Sequence, residues 1–302
     1  MRISRNQRVG IAAALTMALQ VAAVVAAPHT ISVDCTRGRS VQRAVENRAA
    51  ELIVEISGLC QEDVVIERSD ITLRGVNPGA VDGLQGSSAD VGGDHAVLLV
   101  RGGSRVRIEN LRIVQGSRFG LNVRDGAADV IIVASKFLNN ARAGISLSGS
   151  GGVVDATDVE ISGSLRGFQV FEAGIGLCHH CNVSSTGTAF LVVSARGFVD
   201  GNSTLTGSFA ALSGAGNATL GATDSTLTGA EYSVFADSNS IVQLSGSLAL
   251  GSMNLQGFAN ATLNATSTIS GNLTCSSGGD AHCVDPNDVT GTTSGCERCV
   301  KP

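Results

Sequence analysis

The sequence predicts an all-β fold, a parallel β-helix (β-solenoid) of about ten coils with a short capping helix at its N-terminus. Three observations lead to this prediction. From His95 onward the chain repeats with a period of roughly 22 residues, a length typical of one solenoid turn. Each repeat holds short pieces in which apolar and polar residues alternate, as they do in strands. The 38 glycines supply the positive φ angles that tight corners between strands require.

Each repeat is marked by a short strand of the form apolar, any residue, apolar. The markers follow one another at the coil period and set the phase of the predicted solenoid. A leucine-rich repeat would need a helical segment in each repeat, and a propeller would need a period of about 40 residues. The sequence shows neither pattern. The markers are Val97–Leu99, Leu121–Val123, Ile145–Leu147, Phe168–Val170, Phe190–Val192, Ala210–Leu212, Tyr232–Val234 and Met253–Leu255.

Both ends of a solenoid must be capped, because a terminal coil exposes apolar surface. At the N-terminal end Ser40 is predicted to cap a short helix whose buried face includes Val41 and Val45. The stretch Leu52–Gly58 then opens the first coil. At the other end, residues 278–302 have few large apolar side chains and are predicted to form a disulfide-stapled, mostly irregular cap or tail.

The N-terminal segment has the form of an export signal. Three arginines are followed by the run 11–27, which carries no charge and consists mostly of Ala, Val and Leu. The prediction is a signal peptide over residues 1–26 and a β-helix domain over residues 27–277. An uncleaved membrane anchor is the alternative, because the run is close to the roughly 20 residues that span a bilayer. We therefore expect a secreted or periplasmic protein with no membrane contact beyond this segment.

The eight cysteines of an exported chain are predicted to form disulfides. A zinc site built from Cys178-His179-His180-Cys181 and Cys296-x-x-Cys299 is the alternative. It is disfavoured because the two cysteine pairs lie far apart in the sequence and the compartment is oxidising. The expectation is no bound metal and no cofactor. Proximity in the sequence favours the pairs Cys35–Cys60, Cys178–Cys181, Cys275–Cys283 and Cys296–Cys299.

Charge is distributed unevenly along the chain. Sixteen Lys and Arg residues lie between Arg37 and Arg196, and none lies between Gly197 and Glu297. A protein that binds nucleic acid needs a basic face, whereas this protein is acidic overall. Nucleic acid is therefore not expected as a partner. An anionic ligand such as a polysaccharide would bind in the N-terminal half. The sequence leaves the oligomeric state open.

The first coils resemble a known superfamily in five segments: Asp34–Cys35, Ser40–Val45, Leu52–Cys60, Val64–Ile66 and Asp70–Gly75. Together they resemble the opening of the pectin-lyase-like superfamily. As architecture the resemblance covers nearly the whole chain after the signal segment, and it implies a right-handed parallel β-helix. It implies no single activity, because the superfamily includes lyases, hydrolases, esterases, epimerases and noncatalytic surface proteins.

The catalytic motifs of those enzymes are missing from this chain. It lacks the clustered calcium-binding aspartates of pectate lyases and the Asn-Thr-Asp, Asp-Asp and Gly-His-Gly segments of polygalacturonases. It also lacks the Asp-Pro-His-Asp segment of alginate epimerases and a match to the methylesterase pattern. This favours a noncatalytic β-helix that binds an extracellular or cell-surface glycan or another surface component. The alternative is a polysaccharide lyase or glycoside hydrolase acting on an acidic polysaccharide.

One polar cluster is predicted on the outward side of the marker strands. Its carboxylates, Asp125 and Glu172, are the catalytic candidates. They lie two coils apart, or about 10 Å, which is near the upper limit for the carboxylate pair of an inverting glycosidase. The alternative is that these are ordinary solvated corner residues. The candidate substrate-binding residues are Arg101, Asn122, Arg124, Gln169 and Phe171.

The same stacking places several apolar side chains on the outward side. A covering loop, a partner or sugar-docking patch, or a register error of one residue would each explain them. The predicted outward apolar residues are Leu98, Val100, Phe171, Leu191, Val193 and Phe235.

Overall fold

The computed structural model describes residues 27–87, 95–126, 128–149, 151–264, 266–283, 289–296 and 299. The predicted signal peptide, residues 1–26, lies outside the described residues, and so do residues 284–288, 297–298 and 300–302 of the predicted C-terminal cap. Within the described ranges, no helix is long and apolar enough to cross a membrane.

Strands make up most of the described chain. In chain order they are β1 (His29–Asp34), β2 (Leu52–Ser57), β3 (Leu59–Gln61), β4 (Val64–Ile66), β5 (Ile71–Gly75), β6 (Gly83–Gln85), β7 (Ala96–Arg101), β8 (Ser104–Glu109), β9 (Arg112–Val114), β10 (Phe119–Arg124), β11 (Ala128–Val133), β12 (Lys136–Leu138), β13 (Ala143–Leu147), β14 (Val153–Thr157), β15 (Glu160–Phe171), β16 (Ile175–His179), β17 (Asn182–Val193), β18 (Arg196–Asp200), β19 (Thr204–Gly207), β20 (Ala210–Ala215), β21 (Thr219–Thr223), β22 (Thr226–Ala236), β23 (Ile241–Ser245), β24 (Leu248–Leu255), β25 (Asn260–Leu263), β26 (Thr268–Ile269), β27 (Leu273–Cys275), β28 (Asp280–Cys283) and β29 (Thr293–Ser294).

These strands stack into a right-handed parallel β-helix of about eleven turns, which confirms the predicted fold class. One sheet has twelve strands in the order β1-β2-β5-β8-β11-β14-β16-β18-β21-β23-β25-β28. The remaining strands form a seventeen-stranded sheet that turns a corner. The first part of β15, for example, pairs with β12, and its last part pairs with β13. Each coil therefore presents three faces to the outside.

The core is filled by side chains that stack in register from coil to coil. Leu121 lies beside Leu98 on one neighbouring coil and Ile145 on the other. The row continues to Phe168 and Phe190, whose rings stack with centroids 4.9 Å apart. All five side chains are fully buried. This interior of stacked apolar rows is the source of most of the stability of a solenoid.

The N-terminal cap is a short helix, α1 (Val41–Val45), as predicted. The Ser40 hydroxyl accepts a hydrogen bond from the backbone N–H of Arg43, and the Glu62 carboxylate accepts one from the N–H of Val41. These acceptors satisfy N–H groups that the first helical turn leaves without partners. Val41 and Val45 are buried against the end of the solenoid.

All eight cysteines are in disulfides, but two of the four predicted pairs are wrong. Cys35–Cys60 and Cys178–Cys181 are present, whereas the C-terminal bonds are Cys275–Cys296 and Cys283–Cys299. Cys275 lies on β27 of the seventeen-stranded sheet and Cys283 on β28 of the twelve-stranded sheet, and each is bonded to a cysteine later in the chain. The solenoid continues into this end, since β28 pairs with β25 and β29 with β27. The C-terminal bonds therefore join stacked coils and do not close small loops.

Among the acidic side chains with lowered pKa values, Asp82 and Glu109 are the two most buried. Burial alone would raise the pKa of Asp82, but hydrogen bonds from the backbone N–H groups of Asn77 and Gly58 lower it overall. Burial likewise opposes the charge of Glu109, and hydrogen bonds from Arg107 and Arg74 outweigh it, so that its pKa is lowered. Both carboxylates are therefore held in the ionised form by one group nearby in the chain and one on the preceding coil.

Candidate functional site

The predicted polar cluster lies on one face of the seventeen-stranded sheet, which we call the Asn122 face. It is the outward side of β7, β10, β13 and β20 and of the last parts of β15, β17, β22 and β24. Its central row consists of outward residues in register on neighbouring coils. In order they are Leu99, Asn122, Ser146, Gln169, Leu191, Ser213, Phe235 and Asn254.

This row corrects part of the predicted register. Leu98 and Val100 face the core, and Leu99 points outward in their place. Further along, Ser213 and Phe235 occupy the row, because Leu212 and Val234, not Ala210 and Tyr232, continue the buried row of Phe190. The other predicted outward apolar residues, Phe171, Leu191, Val193 and Phe235, are half-buried on the Asn122 face.

Asn122, Ser146 and Gln169 form a polar line across three coils and are almost completely buried. The Gln169 amide nitrogen donates to the Ser146 hydroxyl at 2.8 Å. The Asn122 side-chain oxygen, by contrast, is buried and accepts no hydrogen bond within the described part of the chain. Such a group is costly unless a ligand or solvent molecule donates to it. It marks a place where a donor of that kind would be stabilised.

Arginines border this line on the side where the strands begin. Arg118, Arg142 and Arg166 lie on three successive coils, joined by backbone hydrogen bonds from each to the one before. The guanidiniums of Arg118 and Arg142 lie 4.9 and 5.8 Å from the centre of the Phe119 ring. Arg166 donates to the Gln169 side-chain oxygen at 3.1 Å, which links this column to the buried polar line. We call these three residues the arginine column.

The arginine column concentrates positive charge. Among the described residues, none of its three members forms an ion pair with a carboxylate. Burial, and secondly the charge of Arg142, lower the pKa of Arg166, but a guanidinium loses its proton only in strong base, so Arg166 stays charged at neutral pH. Two neighbouring cations without an acid between them repel each other, and an anionic ligand would relieve that repulsion.

Sequence reasoning missed these arginines because they precede the marker strands. Each is followed within two residues by a glycine, in Arg118-Phe119-Gly120, Arg142-Ala143-Gly144 and Arg166-Gly167. That recurrence at the coil period is a signal that could have been found. A Cβ added to Gly144 would come within 2.3 Å of an Ile161 side-chain carbon, so the packing beside the arginine leaves no room for a larger residue there.

The predicted binding residues on the opposite border are also on the Asn122 face, but their charges are partly neutralised. Arg101 and Arg124 are in register on adjacent coils. Arg101 donates to Glu67 at 2.6 Å, and Arg124 lies 3.2 Å from the Asp125 carboxylate. Phe171 lies on the same border and is half-buried, so its ring is available to a ligand only in part.

Asp125 and Glu172, the predicted catalytic pair, occupy a corner of the solenoid. Both have φ angles of 55°, in the left-handed region. The same corner holds left-handed residues on other coils, among them Gly102, Gly149 and Gly216. Asp tolerates this backbone because its side chain can bond locally. Both carboxylates are exposed. The structure brings them to one edge of the Asn122 face but does not place them among its buried groups.

A second concavity lies on the outward side of the twelve-stranded sheet. It has a volume of about 520 Å³. Several of its charged groups are paired: Arg105 donates to both oxygens of Asp70, and Asp155 lies 3.5 Å from His179 on the next coil. In the ranges that the structure covers, no group of three or more His, Cys, Asp or Glu side chains is arranged to hold a metal ion.

Comparisons with known proteins find distant structural likeness alone. No family model and no curated relative matches the chain. Tailspike protein 2 of the Escherichia coli O157:H7 bacteriophage CBA120 is 12% identical, with a TM-score of 0.48 over 77% of this chain and 34% of the tailspike. Its enzymatically active domain is 11% identical, with a TM-score of 0.47 over 80% of this chain and 40% of that domain. An alginate lyase from Paenibacillus sp. strain FPU-7 is 16% identical, with a TM-score of 0.36 over 88% of this chain and 98% of the lyase. The chain thus spans about a third of the full tailspike.

Proposed function

We propose that this protein binds an acidic polysaccharide on the Asn122 face. The observation that carries the proposal is the arginine column beside a buried amide oxygen without a donor. Guanidiniums recognise carboxylates through paired hydrogen bonds, and the Asn122 oxygen accepts a hydrogen bond from a sugar hydroxyl. A linear glycan laid along the helix axis would meet one arginine per coil, at a spacing of about 4.8 Å.

Binding without catalysis fits the carboxylates better than turnover does. Asp125 is exposed at a corner of the solenoid and forms an ion pair with Arg124, so it does not lie among the buried groups of the Asn122 face. Glu172 lies two coils away at the same exposed corner. The lyase or hydrolase alternative predicts that Asp125→Asn or Glu172→Gln abolishes turnover and leaves binding intact. On the binding proposal neither substitution removes an activity, because product analysis of the wild type should find none.

An extracytoplasmic location accompanies the proposal. Disulfides persist in oxidising compartments, and the chain has four of them. A glycan outside the cytoplasm would be accessible to such a protein after export.

Titration calorimetry with a uronic-acid polysaccharide tests the proposal. Arg142→Ala should weaken binding by about 1–3 kcal/mol, the contribution of a charged hydrogen bond, and raising the salt concentration should weaken it further. Arg196→Ala is the matched control, because Arg196 is exposed on the twelve-stranded sheet and its loss should leave the affinity unchanged. Equal affinities of the wild type and both variants, or no binding to any acidic glycan, would refute the proposal.

A further inference from the structure

Three aromatic rings meet on the Asn122 face, three register steps beyond the last residue of the arginine column. The chain has only nine Phe and one Tyr. Phe209, Tyr232 and Phe235 lie with their ring centroids 5.4–5.7 Å apart, and all three side chains are half-buried. Phe235 points outward because its neighbours in the strand, Val234 and Ala236, are fully buried in the core. The rings therefore form a partly exposed apolar platform.

A second buried amide lies beside this platform. Asn254 is in register with Phe235 on the next coil and is 9% exposed. Its side-chain oxygen, like that of Asn122, is buried and accepts no hydrogen bond from the described residues. An aromatic platform and a buried acceptor without a donor thus stand together at this end of the face, as the arginine column and Asn122 do at the other.

The two ends lie on one continuous surface. Asn122 and Asn254 belong to the same row, six register steps apart, or about 29 Å at about 4.8 Å per coil. In a parallel row, Arg166 is followed by Thr188, Ala210 and Tyr232. The small side chains of Thr188 and Ala210 leave no bulky barrier between the arginine and the first ring of the platform.

The chemistry of the two ends differs. No Lys or Arg occurs between Gly197 and Glu297, so the platform end has no cation to bind a carboxylate. Aromatic rings pack against the apolar C–H face of a sugar, and an amide oxygen accepts from its hydroxyls. This combination suits an uncharged sugar.

We infer that the Asn122 face holds a second, neutral-sugar subsite at Tyr232, Phe235 and Asn254, so that its ligand is a heteropolysaccharide containing both acidic and neutral sugars. The inference rests on the proposed function, because the arginine column supplies the acidic end of the same site. A ligand that contacts both Asn122 and Asn254 must cross six register steps, about 29 Å, which a disaccharide does not.

The test compares three oligosaccharides of equal length, about eight sugars, by titration calorimetry on the full chain. They are a uronic-acid homopolymer, a copolymer of uronic acid with neutral hexose, and a neutral glucan. The wild type should bind the copolymer about tenfold more tightly than the homopolymer. Tyr232→Ala should remove that advantage and leave homopolymer binding unchanged, whereas Arg142→Ala should weaken binding of both charged ligands.

Two further variants keep the test decisive. Tyr232→Leu retains an apolar side chain, and therefore more of the local packing than Tyr232→Ala does, and it should lose the copolymer advantage too. Phe258→Ala is the control, because Phe258 is the most exposed Phe, at 68%, and lies outside the platform. If the wild type binds the homopolymer and copolymer equally, or if the Tyr232 variants keep the copolymer advantage, the second subsite is refuted while the proposed function stands. If no acidic oligosaccharide binds at all, the proposed function itself has failed.

Discussion

Removing one whole coil should leave a shorter folded solenoid. Deletion of residues 211–232 joins Ala210 to Ser233, and Ala210 is the register partner of Tyr232, the last residue removed. Val234 then takes the place of Leu212 in the row above Phe190. The strands on either side of the junction keep their phase, because the deletion equals one repeat. Deletion of residues 211–221, half a coil, would instead bring Ala222 into the middle of a strand on the wrong face.

The expected cost of the whole-coil deletion follows from the size of the coil. It removes 22 residues, and each residue contributes about 0.05–0.15 kcal/mol of net stability on average, so the free energy of unfolding should fall by about 1–3 kcal/mol. The fully buried side chains of Leu212, Leu220 and Leu227 are removed together with the backbone that they order. The half-coil deletion removes fewer residues but disrupts every later coil. It should cost more than the whole-coil deletion.

Urea denaturation followed by far-ultraviolet circular dichroism measures both variants against the full chain. The whole-coil deletion should show one cooperative transition with a slightly lower midpoint. The half-coil deletion should lose much of its β signal or unfold in a broad transition at low urea. Equal destabilisation by the two deletions, or a half-coil variant more stable than the whole-coil one, would show that the assigned coil phase is wrong.

Three further predictions concern the bonds between coils. Peptide mapping of the unreduced protein should find no free thiols and should recover Cys275–Cys296 and Cys283–Cys299; recovery of Cys275–Cys283 would contradict the stacking of the last coils. Asp82→Asn should lower the free energy of unfolding by about 1–3 kcal/mol in thermal melts, since it sets an amide N–H₂ against backbone donors; an unchanged melting temperature would count against that network. Glu109→Gln should remove about 1 kcal/mol above pH 4.5. Because the folded pKa of Glu109 is lowered, the wild-type advantage should shrink as the pH falls below 4.5, and a pH-independent difference would refute the assignment.

The coil architecture was predictable because apolar residues recur with the right period and alternate within strands. The predicted register, which decides which side chains face the core, was correct where a polar residue separates two apolar ones, as in Leu121-Asn122-Val123. It was wrong where the alternation is hidden, as in Val97-Leu98-Leu99-Val100, where every residue is apolar and either register fits. The predicted register was also wrong beside Tyr232, where the strand pairing is irregular and no sequence pattern indicates the irregularity.

The candidate site was predictable only in part. Alternation within the marker strands places Asn122, Gln169 and Phe171 on one outward face, and the structure brings them together there. Arg118 and Arg142 lie just before their strands, and Arg166 lies beside irregular pairing within β15, so strand alternation does not determine the direction of these side chains. The C-terminal disulfides depend on which coil lies over which, so proximity along the chain was a poor guide to them.

Arginine-selective labelling with and without a bound acidic polysaccharide tests most directly whether the ligand lies on the Asn122 face. Modification by phenylglyoxal is followed residue by residue with mass spectrometry. Arg118, Arg142 and Arg166 should be protected when the polysaccharide is bound, whereas Arg105 and Arg196, which are exposed on the twelve-stranded sheet, should react at the same rate in both samples. Protection of Arg105 and Arg196 with continued labelling of the arginine column would place the ligand on the opposite face and contradict the account.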